Sequence, residues 1–197
     1  ELTPYDGIPH LISPVISDPA DFGPALEGLI QVMQQRYQRF SDVSARDIRS
    51  YNDGPYKPMP SLVVVVDELA ELMLSEGRDA ESKLVRLAQL GRAAGIHLVL
   101  STQRPTVDVV TGLLKANIPT RICFTVASQM DSRVILDMNG GENLMGRGDM
   151  LLLTKESAQP RRIQGAYVEE KEIAGIVDFW INQPLPMTIE NAPEVDI

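Results

Sequence analysis

The sequence is poor in the features that stabilise secreted proteins or hold proteins in membranes. Its single cysteine, Cys123, cannot form an internal disulfide, and its apolar neighbours predict a small core residue in a reducing, cytoplasmic setting. No apolar run approaches the roughly 20 residues of a membrane-spanning helix, and no signal peptide is visible. Hydrophobic residues make up 44% and charged residues 23% of the 197 residues, an ordinary balance for a globular protein.

Several catalytic and metal-binding patterns are absent as well. No Cys/His cluster has the spacing of metal ligands, and no Gly-x-Ser-x-Gly turn is present. Of the two histidines, His97 lies within an apolar run and is predicted to be a core residue rather than a base. His10 lies in a proline-rich loop without an obvious partner. The residues therefore contain no indication of a zinc site or of a serine hydrolase of that type.

Positive charge is scarce, but it is concentrated in one part of the chain. The net charge of −9 argues against a protein that coats nucleic acid over its whole surface. Between Arg92 and Arg133, however, five basic residues accompany only two acidic ones, so this segment carries +3 and the remainder −12. The composition is therefore compatible with a local basic surface on an acidic body.

Short apolar runs alternate with segments of helical periodicity through the middle of the chain. This alternation predicts an α/β fold with a parallel or mixed sheet and helices on both faces. The predicted strands are Leu62–Val66, Ile96–Leu100, Arg121–Val126, Met150–Leu153 and Arg161–Val168. The predicted helices run from Asp18 or Asp21 to Phe40, from Ser82 to Arg92, from Thr106 to Ala116, onward from Ser128, and over Ile173 to Trp180.

The stretch from Ser61 to Met73 carries the most distinctive chemistry. Five aliphatic residues, four of them valines, predict a strand buried on both faces, and Asp67 and Glu68 follow it directly. In an open α/β sheet, ligands bind at the carboxyl ends of the strands, where one acid can serve Mg²⁺ and the next can activate water. Acids also favour helix N-termini, so a buried strand with an acidic helix cap is the alternative. These residues alone leave both interpretations open.

Two further predicted strands also end in polar residues. Thr102 and Gln103 follow the second strand and Ala127 and Ser128 the third, so we expect three strand ends to converge on one edge of the sheet. Gln103 has the chemistry to sense a γ-phosphate or orient water. A hydrogen bond at the end of the strand is its alternative role.

Several long stretches resemble the motor domain of the FtsK/SpoIIIE DNA translocases. They include Val-Val-Val-Val-Asp-Glu at 63–68, Gly-Arg-Ala-Ala-Gly-Ile-His at 91–97, Ser-Thr-Gln-Arg-Pro at 101–105, Asp-Ser-Arg-Val-Ile-Leu-Asp at 131–137 and Leu-Met-Gly-Arg-Gly-Asp-Met-Leu at 144–151. The resemblance covers nearly the whole chain. It implies a RecA-like P-loop NTPase core that uses ATP and Mg²⁺, forms a homo-hexameric ring and pumps double-stranded DNA during chromosome partition and cell division.

One part of that family's motor is missing from the sequence. No Gly-x-x-x-x-Gly-Lys-[Ser/Thr] loop occurs, so nothing here cradles the β- and γ-phosphates, and the strand that feeds this loop into the middle of the sheet is missing too. We therefore expect residues 1–182 to be the C-terminal part of a motor domain, with an extended proline-containing tail at 183–197. An upstream portion of the same protein would supply the Walker A loop, and this chain alone would be inactive. The resemblance also implies a cytoplasmic motor in a protein anchored in the cell membrane.

The resemblance and the residues together suggest roles for seven side chains. Asp67 would hold Mg²⁺ through water, and Glu68 would polarise the attacking water. Gln103 would contact the nucleotide, sensing its γ-phosphate or orienting the water. Arg92 ends a helix before Ala-Ala-Gly and would act as an arginine finger for the neighbouring subunit, with Arg86 as the second choice and a helix-dipole contact as the alternative. The remaining three would contact DNA in the pore: Arg104, Gln129 and Arg133.

Alternatives to a DNA pump remain at this stage. Arg104 could instead pair with Asp108, one turn further on, and the family often has a lysine where this chain has Gln129, which weakens the electrostatic case there. A related ring ATPase of conjugation or secretion is one rival function. A non-catalytic assembly module is another, supported by the missing Walker A loop.

Overall fold

A computed structural model describes residues 2–183 of the chain. The described residues divide into two compact units, one formed by the chain up to Ser101 and from Glu170 onward, the other by Thr102–Glu169. The first unit contains α1 (Phe22–Asp42), α2 (Ile48–Asn52), β1 (Leu62–Val66), α3 (Leu69–Glu76), α4 (Arg78–Ala94), β2 (Ile96–Leu100) and α7 (Glu170–Ile181). The second contains α5 (Gly112–Asn117), β3 (Arg121–Cys123), α6 (Gln129–Leu136), β4 (Asp149–Leu153) and β5 (Arg161–Gln164). None of the described helices is long and apolar enough to cross a membrane.

The first unit is built around a parallel pair of strands. β1 and β2 pair in register from Leu62 opposite Ile96 to Val66 opposite Leu100, and α3 and α4 form the connection between them. A parallel pair needs such a crossover, since a tight turn can join only antiparallel strands. The predicted βαβ arrangement is confirmed here.

The periodicity predicted for the first long helix is also confirmed. The apolar stripe of α1 is buried and packs against α4, whose Leu84 and Leu87 are fully enclosed. One residue on α1 departs from that pattern, because Arg36 is only 5% exposed despite its charge. Its guanidinium donates to the carbonyl oxygens of Ala94 at 2.7 Å and Pro60 at 2.8 Å. Burial, and to a smaller extent the charge of Arg39, lower the pKa of Arg36.

The expectation that β1 is buried on both faces is wrong for this structure. Val63, Val65 and Val99 are 64%, 48% and 52% exposed, whereas Leu62 and Ile96 on the opposite face are buried. His97 shares the exposed face, so its prediction as a core residue is also wrong. The physical reason is that, in the described part of this unit, the packed helices cover one face of a two-stranded sheet and leave the other open.

The expected convergence of three strand ends on one sheet edge is also wrong. β3 does not join β1 and β2; it pairs antiparallel with β4, which pairs antiparallel with β5. The ends of β1 and β2 are therefore neighbours, but Ala127 and Ser128 follow a strand of a different sheet. β4 and β5 are joined by a short connection, which favours antiparallel pairing. The strand that the resemblance places in the middle of the sheet is not in the sequence.

Three predicted elements of the second unit are shorter than expected. β3 ends at Cys123 rather than at Val126, and β5 ends at Gln164 rather than at Val168. α5 begins only at Gly112, because the Thr111 side chain accepts a hydrogen bond from the amide of Leu114 at 3.2 Å and so caps the helix there. The predicted tail begins at Gln183, and the rest of it lies outside the described residues.

The core of the second unit forms where β3 and β4 pack on α6. Cys123, Leu136 and Leu153 are its buried centre, with Val126 and Met138 among the apolar residues around it. The prediction that Cys123 is a core residue is confirmed. Burial, with smaller contributions from nearby acids, raises the pKa of the Cys123 thiol to about 11, so it stays protonated at neutral pH.

Candidate functional site

The two acids after β1 lie in the turn that leads into α3, and both are half-buried. Glu68 is the N-cap of α3, and its Oε1 accepts a hydrogen bond from the amide of Ala70 at 3.0 Å. The cap proposed as the alternative role is therefore present. It does not exclude a catalytic role, since a carboxylate has two oxygens that can together accept several hydrogen bonds.

The end of β2 holds this turn in place. The Ser101 amide donates to the carbonyl oxygen of Val66 at 2.9 Å, and the Leu69 amide donates to the carbonyl oxygen of Ser101 at 2.8 Å. The Ser101 hydroxyl also hydrogen-bonds the carbonyl oxygen of Asp67. The backbone that carries both carboxylates is thus fixed from before Asp67 to after Glu68. Sequence reasoning assigned no role to Ser101; a hydroxyl directly after a parallel strand was the available signal.

The donor set suits a nucleotide-bound Mg²⁺ better than an independent metal centre. No group of three His, Cys, Asp or Glu side chains that could hold a metal occurs in the part of the chain that the structure describes. Mg²⁺ in nucleotide sites keeps several waters and uses one or two carboxylates together with phosphate oxygens. Asp67 and Glu68 therefore fit an ion that arrives with a nucleotide.

Gln103 and Arg104 are exposed and lie at the start of the second unit. The Arg104 amide donates to the hydroxyl of Thr102 at 3.0 Å, which tightens the backbone directly around Gln103. The alternative role predicted for Arg104 is an ion pair with Asp108. This pair is not among the ion pairs of the described residues. A contact of Gln103 with the nucleotide and a contact of Arg104 with DNA both stay predictions.

Arg92 lies in the last turn of α4 and is exposed, as its sequence position predicts. Gly95, with φ of 71°, ends the helix in the left-handed conformation that glycine adopts readily. A cation in this turn is favoured by the helix dipole, so the alternative role is available as well. Arg86 is exposed on the same helix, and the finger role of either arginine stays a prediction.

The helix predicted to begin after Ser128 is present as α6, and a capping box starts it. The Ser128 hydroxyl accepts from the amide of Asp131 at 3.1 Å, and the Asp131 carboxylate accepts from the amide of Ser128 at 3.1 Å. Gln129 and Arg133 are exposed one turn apart on this helix. Asn139, three residues after the end of α6, accepts from Nε of Arg133 at 2.7 Å and donates to Oε1 of Gln129 at 3.4 Å.

Two ion-pair clusters of the second unit were not foreseen. Asp137 binds both Lys115 and Arg121 at 2.6 Å, and these hydrogen bonds, that of Arg121 first, lower the pKa of Asp137. Asp149 is buried and accepts two hydrogen bonds from Arg162, at 2.9 Å and 2.6 Å. The Arg162 guanidinium, followed by the amide of Met145, lowers the pKa of Asp149 to about 2. The Asp149–Arg162 pair depends on the register of β4 with β5. The Asp137 pairs join side chains 22 and 16 residues apart in the sequence, which local patterns do not reveal.

The fold defines the class of protein. Solved structures with this fold include the pCW3 conjugation coupling protein TcpA, with TM-score 0.74 and 27% identity over 84% of this chain and 50% of that chain. The cytoplasmic domain of the Thermomonospora curvata type VII secretion ATPase EccC has TM-score 0.74 and 25% identity over 95% of this chain and 23% of that chain. The fold is that of RecA-like P-loop ATPase motor domains.

The family follows from the sequence comparisons. The FtsK/SpoIIIE family model matches residues 1–107, and the chain belongs to this family. The DNA translocase FtsK of Listeria monocytogenes is 46% identical over 100% of this chain and 28% of its own length. The DNA translocase SpoIIIE of Bacillus subtilis is 49% identical over 93% of this chain and 24% of its own length. The chain thus spans about a quarter of the curated relatives that it matches.

Proposed function

We propose that this chain is part of the motor of an ATP-driven double-stranded DNA translocase that acts as a hexameric ring in chromosome partition during cell division. The observation that supports it most is the pair Asp67 and Glu68, fixed by Ser101 at the adjoining ends of two parallel strands. The similarity of the chain to proteins named DNA translocases supports interpreting this pair as part of such a motor.

The two carboxylates would divide the work of hydrolysis. Bound ATP with Mg²⁺ supplies the phosphoryl group whose transfer drives the motor. Asp67 would bind the waters around the ion, and Glu68 would accept a hydrogen bond from the attacking water and polarise it. Gln103, three residues after the end of β2, would orient that water or sense the γ-phosphate. Arg92 would serve the nucleotide of the neighbouring subunit.

An upstream portion of the same protein would complete the nucleotide site. The exposed valines of β1 and β2 form an apolar face that a further layer of the motor would cover, and the sequence has no phosphate-binding loop of its own. Residues 1–197 produced alone should therefore not behave as a stable ATPase. A monodisperse, cooperatively unfolding and ATP-hydrolysing monomer in size-exclusion and calorimetry experiments would contradict this.

DNA would be held by the segment of positive net charge. Arg104, Gln129 and Arg133 are exposed in that segment, and arginine suits a backbone phosphate because it donates from a planar fork. Contacts of this kind carry no sequence information, as a pump that must travel along any duplex requires. The motor would work on the cytoplasmic side of a protein anchored in the membrane.

The function is tested in the full-length protein that contains this chain. We expect ATP hydrolysis that long duplex DNA stimulates and that displaces a third strand annealed to the duplex. Hydrolysis without DNA stimulation, but stimulated by a protein cargo, would favour the rival secretion-type motor, which the likeness to EccC supports. No hydrolysis under any of these conditions would favour the non-catalytic assembly module.

A further inference from the structure

A single side-chain amide connects two of the predicted DNA-binding residues. Asn139 accepts a hydrogen bond from Nε of Arg133 at 2.7 Å through Oδ1 and donates to Oε1 of Gln129 at 3.4 Å through Nδ2. All three side chains are exposed. Exposed arginine and glutamine side chains sample many rotamers, and ordering them when a ligand binds costs free energy. A partner that orders both beforehand reduces that cost.

The backbone of Asn139 is itself held against α6. Ser132, fully buried in the helix, donates to the carbonyl oxygen of Met138 at 2.8 Å and accepts from the amide of Gly141 at 3.0 Å. Ser132 therefore binds the backbone one residue before and two residues after Asn139. Asp137, which precedes this segment, forms ion pairs with Lys115 and Arg121. The backbone around Asn139 is thus held in place by hydrogen bonds to α6.

The chemistry of an amide suits this position. One end accepts from the Arg133 guanidinium, and the other donates to Gln129, so both contacts are made without neutralising the arginine charge. The terminal nitrogens of Arg133 and the Nε2 group of Gln129 are not used in these contacts. An aspartate here could accept from Arg133, but it could not donate to Gln129, and it would cancel the positive charge.

We propose that Asn139 is a positioning residue for the DNA-binding face of α6, holding Arg133 and Gln129 so that their remaining donors meet backbone phosphates. This inference rests on the proposed function, because it requires that Arg133 contact DNA. It assigns to Asn139 no contact with DNA of its own.

The test measures duplex affinity of the full-length protein over a salt series, with two unrelated duplexes. Arg133→Ala should flatten the salt dependence by ~0.9, the value for one phosphate contact. Asn139→Ala should weaken binding roughly 2- to 10-fold on both duplexes, the range of one net hydrogen bond, and change the slope less. Asn139→Asp should flatten the slope as Arg133→Ala does. Asn143→Ala, an exposed asparagine of the same segment, is the matched control and should change neither.

A background that carries both Gln129→Ala and Arg133→Ala decides how Asn139 acts. Adding Asn139→Ala to it should have no further effect, because the side chains that it positions are gone. A further loss of the same size would overturn the positioning role, as would Asn139→Ala behaving like Asn143→Ala while Arg133→Ala flattens the slope. If Arg133→Ala leaves the slope unchanged, the proposed DNA contact itself fails.

Discussion

Glu68 offers the sharpest test, because its observed role as a helix cap and its proposed catalytic role can be separated by substitution. Its carboxylate caps α3 through the amide of Ala70, and the proposed function makes it the group that polarises water. Glu68→Gln keeps an oxygen in place to accept from Ala70 but cannot act as a base. Glu68→Ala removes both roles. Glu71→Gln, on an exposed acid in the first turn of α3, is the matched control.

The two roles differ in magnitude and in what they affect. Loss of a positioned general base slows a reaction by ~10²–10⁴, which corresponds to about 2.7–5.4 kcal/mol in the activation barrier. Loss of an N-cap costs about 0.5–2 kcal/mol of stability and has no direct effect on the barrier. Glu68→Gln should therefore slow hydrolysis strongly and reduce stability less than Glu68→Ala, because it loses the charge at the helix N-terminus but keeps an acceptor for Ala70. Glu68→Ala should lose both.

The assay is ATP turnover by the full-length protein with saturating duplex DNA, together with nucleotide affinity and thermal unfolding. Glu68→Gln should still bind ATP and unfold closer to the wild-type temperature than Glu68→Ala does, and Glu71→Gln should keep wild-type turnover. Wild-type turnover in Glu68→Gln would refute the catalytic role. A loss of turnover accompanied by an equal loss in Glu71→Gln would show that negative charge in this turn, rather than the base, is responsible.

Three further predictions concern other residues. Arg104→Ala should weaken binding to unrelated duplexes alike and flatten the salt dependence by about one ion per contact, and an unchanged slope would exclude a backbone contact. Inactive subunits with Arg92→Ala should be partly rescued by Glu68→Gln subunits in mixed rings, since each supplies what the other lacks; no rescue at any ratio would count against a role in trans. Because its pairing with Arg162 lowers the pKa of Asp149 to about 2, the carboxylate stabilises the fold above its ordinary pKa, and this contribution disappears as the pH falls from ~4 to 2. In urea unfolding, Asp149→Asn should therefore be less stable than the wild type at pH 6 and differ less at pH 3, and a difference that is constant with pH would contradict this.

Local patterns predicted several elements of each unit well. The valine run of β1, the helix end at Gly95 and the capping box at Ser128 each follow from a few neighbouring residues, because strand propensity and capping are local effects. The core role of Cys123 followed from its apolar neighbours in the same way. These features do not depend on how the rest of the chain folds.

The features that sequence reasoning missed all depend on distant contacts. Arg36 is buried because Pro60 and Ala94 offer it carbonyl oxygens, and no spacing within α1 shows this. Asp149 meets Arg162 only through the register of β4 with β5, and β3 joined them rather than the first two strands. The exposure of His97 likewise depends on which layers cover a sheet, which a strand's own residues do not specify.

The loop before β4 limits which sequence changes this part of the chain can accept. Gly146, Arg147 and Gly148 have consecutive positive φ values of 78°, 52° and 89°, a conformation that is costly for any residue with a side chain. A Cβ at position 148 would also lie 2.5 Å from the carbonyl oxygen of Gly165, whose amide donates to Gly148. Glycine should therefore be favoured at 146 and required at 148, whereas at 147 the exposed side chain can change but the positive φ still disfavours β-branched residues. The loop therefore constrains the backbone at all three positions, and it constrains the side chain most at 148.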